Sequence, residues 1–367
     1  LAHQGKRDLP VRAHHDVLVQ LRGVEELHAE SVARADLVTL ARAGHEESAH
    51  QLMRFTTVAG VITCNEEATI GPLLEALRAP HDGCEIVQII VVSAECRDRT
   101  DEIVRAAARK DPRIHLITEP RRRGKSAAVN TFLAARLPGD LTLLTSGDVL
   151  PEPGAIARIV AAFRQSGTGM AGGRPVPVNP GDNLLGRMAS LMWQWHHDIA
   201  VRHPKLGELV IFRSDLASSI PADSPVDEAS LEAAILATGA ALQYVPGAVI
   251  HNRGPDTLTE WISQRRRIAH GHQWLRRTGK HHVSTGNNAD VLGLFWRCAI
   301  QTPGRLPEAV ALIICEIIAR ILSLWDGLTG RNHAVWEIAP STKTLEPRQE
   351  PPAYRNRETP TARESRP

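Results

Sequence analysis

Between residues 58 and 163 the chain alternates short apolar runs with stripes of helical spacing, and this repetition limits the fold more than any other feature. Val58 to Ile62, Ile86 to Val92, Ile114 to Ile117 and Leu141 to Thr145 are apolar runs of strand length. The second is apolar on both faces, as a central parallel strand is. Between these runs Ile70, Leu73, Leu74 and Leu77 follow the i, i+3, i+4, i+7 spacing of an amphipathic helix. Ile103, Val104 and Ala107, then Val129, Phe132 and Leu133, then Ile156, Ile159, Val160 and Phe163 mark three more helices. Such alternation predicts an α/β domain, a mostly parallel sheet flanked by helices on both faces. Further strands are expected near Met170, at Leu209 to Phe212, at Leu242 to Val245 and at Val249.

Around this domain the composition changes. Residues 1–54 carry no strand pattern and no motif and are expected to be an N-terminal extension of uncertain order; residues 55–285 hold the α/β domain. Residues 286–340 are expected to be an amphipathic helical segment, and residues 341–367, rich in Pro, Arg and Glu, a disordered tail. The N-terminal stretch is charged and histidine-rich without an apolar h-region, so no signal peptide is expected. A start at Met53, directly before the first strand, would suit the fold.

The longest apolar segment, Pro307 to Trp325, contains Glu316 and Arg320. A helix of about 19 residues spans roughly 28 Å, close to the roughly 30 Å hydrocarbon core of a bilayer. Each central charge costs about 2.5 to 3.5 kcal/mol to insert, and pairing at i, i+4 only softens that cost. The expectation is a helix lying in the membrane interface or packed on the domain.

A net charge of only +2 gives the molecule no strong pull on nucleic acid, although Arg121 to Arg123 and Arg265 to Arg267 are local clusters that could hold phosphates. The five cysteines lack C-x-x-C spacing and a chain of this size needs no staples, so they read as reduced thiols in a cytosolic setting.

The run Leu141 to Thr145 ends at Ser146-Gly147-Asp148, and ligands in open α/β sheets sit outside the carboxyl ends of the strands. Asp148 is therefore placed to bind a divalent cation, Mg²⁺ or Mn²⁺, with diphosphate oxygens completing the shell; its other reading is a cap of the next turn. Lys125 follows Gly124, where backbone can approach a ligand closely and a positive charge can meet phosphate. Asp227 and Glu228 precede Leu231 and Ile235, either as favourable charges at a helix N-terminus or as acid/base groups. Trp193, Trp195, His196 and His197 suit an acceptor-side or interfacial helix, or a core.

Taken in order, Asn65-Glu66-Glu67, Arg122-Arg123-Gly124-Lys125 with Asn130, Ser146-Gly147-Asp148, Asp227-Glu228 and Gln264-Arg265-Arg266-Arg267 resemble the family 2 glycosyltransferases over roughly residues 55 to 275. The resemblance implies a GT-A fold and an inverting, metal-assisted transfer of sugar from a nucleotide-diphosphate donor to a glycan or lipid-linked acceptor. It implies donor contacts at Glu67, Ser93, Lys125, Asp148, Gln264 and Arg267, and a metal at Asp148 with His251 as a further ligand. Glu228 is implied as the base that deprotonates the acceptor, with Asp227 its rival. Three positions depart from the pattern: Ser146 replaces the first Asp of the D-x-D site, Ser93 stands where many relatives place a base-binding Asp, and Ile268 replaces the Trp of Gln-x-x-Arg-Trp. The missing Trp argues against a processive, exporting synthase. Ser93 and Ser146 support a rival expectation, a nucleotide-sugar-binding protein with impaired catalysis. A nucleotidyltransferase is disfavoured, because Thr63-Cys64-Asn65-Glu66 stands in place of a glycine-rich basic loop. The expected partners are a nucleotide-sugar donor, the acceptor and the inner face of a membrane, with no nucleic acid.

Overall fold

In the computed structural model, which describes residues 54–278, 288–331, 335 and 339–345, the apolar runs become the strands of one eight-stranded sheet. The expected N-terminal extension, apart from Arg54, and residues 346–367 of the expected tail lie outside the described residues. The strands are β1 (Phe55–Thr63), β2 (Cys84–Ala94), β3 (Ile114–Glu119), β4 (Leu141–Ser146), β5 (Leu150–Pro151), β6 (Thr168–Pro177), β7 (Leu209–Arg213) and β8 (Ala241–Asn252). Their order is β3-β2-β1-β4-β7-β6-β8-β5. β1 is parallel to both β2 and β4, and β2 to β3, as the alternation predicts. β7 runs antiparallel to β4 and to β6. The two expected strands at Leu242 to Val245 and Val249 are one, β8, whose register against β6 shifts between Gly172 and Arg174.

Helices α1 (Ile70–Arg78), α2 (Thr100–Ala108), α3 (Lys125–Ala135) and α4 (Ala155–Ala161) connect the strands of the first half. The stripe Ile70, Leu73, Leu74 and Leu77 is buried with Val61, Ile89 and Leu143 on one face of the sheet. Val129, Phe132 and Leu133 of α3 pack with Val58, Ile90 and Leu144 on the other. Since β1 and β2 alternate side chains between two buried faces, both strands read as nearly continuous apolar runs.

Further helices follow: α5 (Leu184–Ala200), α6 (Asp227–Leu236), α7 (Leu258–Arg277), α8 (Asn288–Gln301) and α9 (Leu306–Thr329). α5 starts at Asn183, whose side chain accepts from Gly186 N at 2.8 Å. α7 opens at the N-cap Thr257, whose Oγ1 accepts from Glu260 N and donates to Glu260 Oε2 at 3.0 Å. α9 packs on the domain through Leu312 and Cys315, which share a cluster with Met188, Leu191 and Trp261. The charges that make this segment unsuited to hydrocarbon have partners on α7: Arg265 bonds Glu316, which also receives Arg320 at 2.8 Å, and Arg266 bonds Asp326. Among the described residues no helix is long and apolar enough to cross a membrane.

Residues 341–345, read from the sequence as the start of a disordered tail, are placed against the domain. Pro340–Thr342 is a 3-10 turn, and Ser341 Oγ donates to Glu260 Oε2 at 2.5 Å.

Candidate active site

Strand order 3-2-1-4 reverses the direction of winding between β1 and β4, which opens a crevice at their carboxyl ends. The loops leaving these two strands carry Glu66 and Asp148. Glu66 is buried, and Thr63 Oγ1 donates to its Oε2 at 2.8 Å. Gly147 is what lets this carboxylate approach: a Cβ there would stand 1.8 Å from Glu66 Oε2 and 2.9 Å from Thr63 Oγ1. Thr69 Oγ1 donates to Gly147 O at 2.6 Å and fixes the turn. Glu66 and Asp148 then share a cation, the ammonium of Lys343, at 2.6 Å from Glu66 Oε1 and 3.1 Å from Asp148 Oδ2. Burial and the neighbouring Asp148 raise the Glu66 carboxyl to about 7, although Lys343 opposes them.

A second cluster faces Asp148. Lys125, first residue of α3, places Nζ 2.6 Å from Glu228 Oε1 and 3.1 Å from Asp227 Oδ2, at the N-terminus of α6. Burial alone would raise Glu228, yet Lys125 outweighs it and holds the carboxyl at about 2, so Glu228 is an ionised group. Asp227 is pushed the opposite way by burial and by Glu228 beside it. Loop 214–226 is held for this purpose by α3: Asn130 exchanges two bonds with Ile220, at 2.8 and 2.9 Å, and Ser126 Oγ donates to Ser224 O. Arg267 Nη1 donates to Pro225 O at 2.9 Å.

Between the two clusters lies Glu208, which the sequence reading missed. The register of the antiparallel β4–β7 pair ends at Thr145 and Leu209, one residue short of Ser146 and Glu208, so a carboxylate from the residue before β7 stands beside the position where the D-x-D pattern lacks one. Its backbone has φ 64°, a left-handed conformation unusual for glutamate. Asn252 Nδ2 donates to its Oε1 at 3.0 Å. Burial first, then Asp148 and Glu228, raise Glu208 to about 7. The signal available in the sequence was its place directly before the Leu209 strand, but only the antiparallel direction of β7 gives that place meaning.

Asp148, Glu208, Lys125, Glu228, Gln264 and Arg267 line one cavity of about 320 Å³. Its far wall is apolar and aromatic, from Trp193 and Trp195 of α5, Trp261 of α7 and Leu312 of α9. A neighbouring cavity of about 280 Å³ shares Asp148, Glu208, Gln264 and Arg267, and adds Lys343. The expected acceptor-side acid pair and the expected cation-binding Asp therefore do face a common space.

The structure does not bring every expected residue there. His251, expected as a metal ligand, lines neither cavity and pairs with Glu152 Oε1 at 2.9 Å. Strand alternation explains this, because Asn252 and not His251 is the β8 side chain that meets Glu208. Glu67 accepts from Arg99 N at 3.0 Å, at the start of α2. Ser93 is buried and donates to Asp101 Oδ1 at 2.5 Å, so a carboxylate from α2 stands beside the position where the sequence offers only a hydroxyl. Lys125, expected on donor phosphate, is bound to Asp227 and Glu228. No group of three or more His, Cys, Asp or Glu side chains that could hold a metal exists among the described residues.

Residues 59–215 match the family model described as Glycosyl transferase family 2. Among curated proteins, the chain is similar to the probable glycosyltransferase YdaM of Bacillus subtilis (strain 168), with 24% identity over 230 residues, 58% of this chain and 54% of that protein. The chain thus spans about half the length of that curated relative. Among solved structures it is similar to the mannosyltransferase PcManGT from Pyrobaculum calidifontis in complex with GDP-Man and Mn²⁺, at 20% identity and a TM-score of 0.51, covering 77% of this chain and 83% of that one. The last likeness is one of fold, and it agrees with the GT-A architecture that the motif order implies.

Proposed function

We propose, on the match of residues 59–215 to the glycosyl transferase family 2 model, that the protein moves a sugar from a nucleotide-diphosphate donor to a glycan or lipid-linked acceptor, with inversion, at the cytoplasmic face of a membrane. The observation that carries this reading is the single cavity that Asp148 and Glu228 both line, with Gln264 and Arg267 beside them. Glu228, ionised and held by Lys125, is placed to take the proton of an acceptor hydroxyl. Asp227, whose carboxylate lies 3.1 Å from the same ammonium, is the rival for that role. Arg267 and Gln264 meet the donor diphosphate, for which a guanidinium is a strong bidentate partner. Ser93 with Asp101, and Glu67 in the adjoining loop, receive the base and ribose.

A divalent ion, Mg²⁺ or Mn²⁺, fits the residues present. Asp148 and Glu66 already converge on a cation through hard oxygens, and two protein carboxylates suffice when donor phosphates and water complete the shell. Such an ion supplies charge neutralisation to the departing diphosphate. The solved mannosyltransferase of similar fold holds GDP-Man and Mn²⁺, which supports the same donor chemistry here.

Calorimetry against a panel of nucleotide sugars with and without Mn²⁺ tests the reading. One donor is expected to bind in a Mn²⁺-dependent manner, and Asp148→Asn is expected to remove that dependence. Glu228→Gln is expected to keep donor binding while transfer falls by about 10² to 10⁴-fold. Donor binding without turnover in the unaltered protein would instead favour the rival reading, a nucleotide-sugar-binding protein, and no binding of any donor would refute both.

A further inference from the structure

Lys343 belongs to a segment far from the domain in sequence, yet its Nζ lies where the crevice carboxylates converge, 2.6 Å from Glu66 and 3.1 Å from Asp148. We propose that Lys343 is a built-in counter-cation, which must leave the Asp148–Glu66 pair before a divalent ion can take it, so that the 339–345 segment gates loading of the site. This rests on the reading of Asp148 as the cation-binding carboxylate.

Several observations bear on it independently. Asp148 Oδ2 is engaged by the ammonium, which leaves only Oδ1 of that carboxylate for a hard divalent ion. Two cations crowded on one carboxylate pair repel strongly in a partly buried site. The ammonium is well housed, with its side chain only 16% exposed. Apart from the lysine and the buried side chain of Thr342, the segment that carries it is held by bonds to one neighbouring stretch of chain: Asp256 N donates to Ser341 Oγ at 3.0 Å, Ser341 Oγ to Glu260 Oε2 at 2.5 Å, Ser341 N to Glu260 Oε1 at 3.4 Å and Arg253 Nη1 to Thr344 O at 3.3 Å. All of these are contacts with the start of α7 and the loop before it, so the segment can lift without disturbing the sheet. Lys343 and Thr342 also line the cavity that holds Asp148, Glu208 and Arg267, so withdrawal of the segment opens the same space that a diphosphate would enter.

An alternative role for the same lysine is that of a permanent phosphate ligand, and the two roles have opposite consequences. Mn²⁺ titration of the full chain, read by the electron paramagnetic resonance signal of the free ion, compares wild type, Lys343→Met, Lys343→Arg and Asp148→Asn. If the lysine occupies the carboxylates in nine molecules of ten, its removal is expected to tighten Mn²⁺ binding about tenfold, because apparent affinity scales with the competent fraction. Lys343→Arg is expected to stay near wild type. Hydrogen exchange gives a second measurement on the unaltered protein: Mn²⁺ with inorganic pyrophosphate is expected to speed exchange in peptides covering 339–345. Equal Mn²⁺ affinity in wild type and Lys343→Met, with Asp148→Asn weakened, would overturn the gate and leave the proposed function standing. Mn²⁺ binding that Asp148→Asn does not weaken would overturn both. Pyrophosphate binding without Mn²⁺ that is lost in Lys343→Met would also overturn the gate, since the lysine would then serve the phosphate directly.

Discussion

Single residues decide whether the crevice can hold its charges. Glu208 has a folded-state value of about 7 against an ordinary 4.5, so between these values the folded protein keeps a proton that the unfolded chain has lost. Its contribution is therefore most favourable below about 4.5 and is lost as pH rises through about 7, on the order of 3 kcal/mol in all. Urea unfolding at pH 5 and pH 8 is expected to show Glu208→Gln gaining stability relative to wild type by about that amount at the higher pH. Absence of any relative gain would mean that Glu208 is ionised at little cost. Gly147 sets a different limit, because the Cβ of Gly147→Ala would overlap Glu66 Oε2. That variant is expected to lose about 1 to 3 kcal/mol of stability and to weaken Mn²⁺ binding, measured by thermal unfolding and by metal titration. Asp148 was legible in the sequence because an apolar strand points at it. Glu66 was visible only as one of two adjacent acids, and Thr63 and Gly147, which turn it inward, identify it only in three dimensions.

At the scale of elements, the first four strands and their helices were legible because burial of both sheet faces writes itself as apolar runs and stripes. The second half was less so. A strand that reverses direction leaves no mark in periodicity, and with β7 antiparallel the position of Glu208 followed from register alone. His251 and Asn252 illustrate the same limit, since neighbouring residues of β8 face opposite ways and a motif cannot say which faces the crevice. Helix α7 shows how an element outside the sheet positions the acid pair. A Cβ at Gly271 would lie 2.4 Å from Val226 Cγ1, directly before Asp227. Gly271→Ala is therefore expected to push the start of α6 away, lowering kcat at least tenfold while donor affinity changes little, as steady-state kinetics beside donor calorimetry would reveal. An equal loss of donor affinity would place α7 against the donor instead.

For the whole molecule, the question is which surface the outer helices present. α9 buries Ala309, Leu312, Cys315 and Ala319 against the domain and leaves Ile314, Ile317, Ile321, Leu324, Trp325 and Leu328 exposed, the last at 83%. α8 adds Leu292, Trp296 and Ile300. The sequence reading set the charges Glu316 and Arg320 against a spanning helix, and both lie in an ion-pair network with Arg265, so the outward stripe stays apolar. Peripheral association through this stripe requires that apolar side chains enter the interface while the cavity remains reachable. Each large side chain withdrawn from water is worth about 1.5 to 3 kcal/mol at full burial, and partial immersion of two of them still amounts to more than tenfold in partitioning. Flotation with vesicles containing anionic lipid is therefore expected to carry the protein upward, and the double variant Ile321→Gln, Trp325→Gln to reduce the bound fraction at least tenfold without lowering Tm. Because both residues point away from the domain, transfer to a water-soluble acceptor is expected to survive in that variant while transfer to a membrane-embedded one falls. A variant that floats as well as wild type would remove the membrane from the proposed function and leave the crevice chemistry intact.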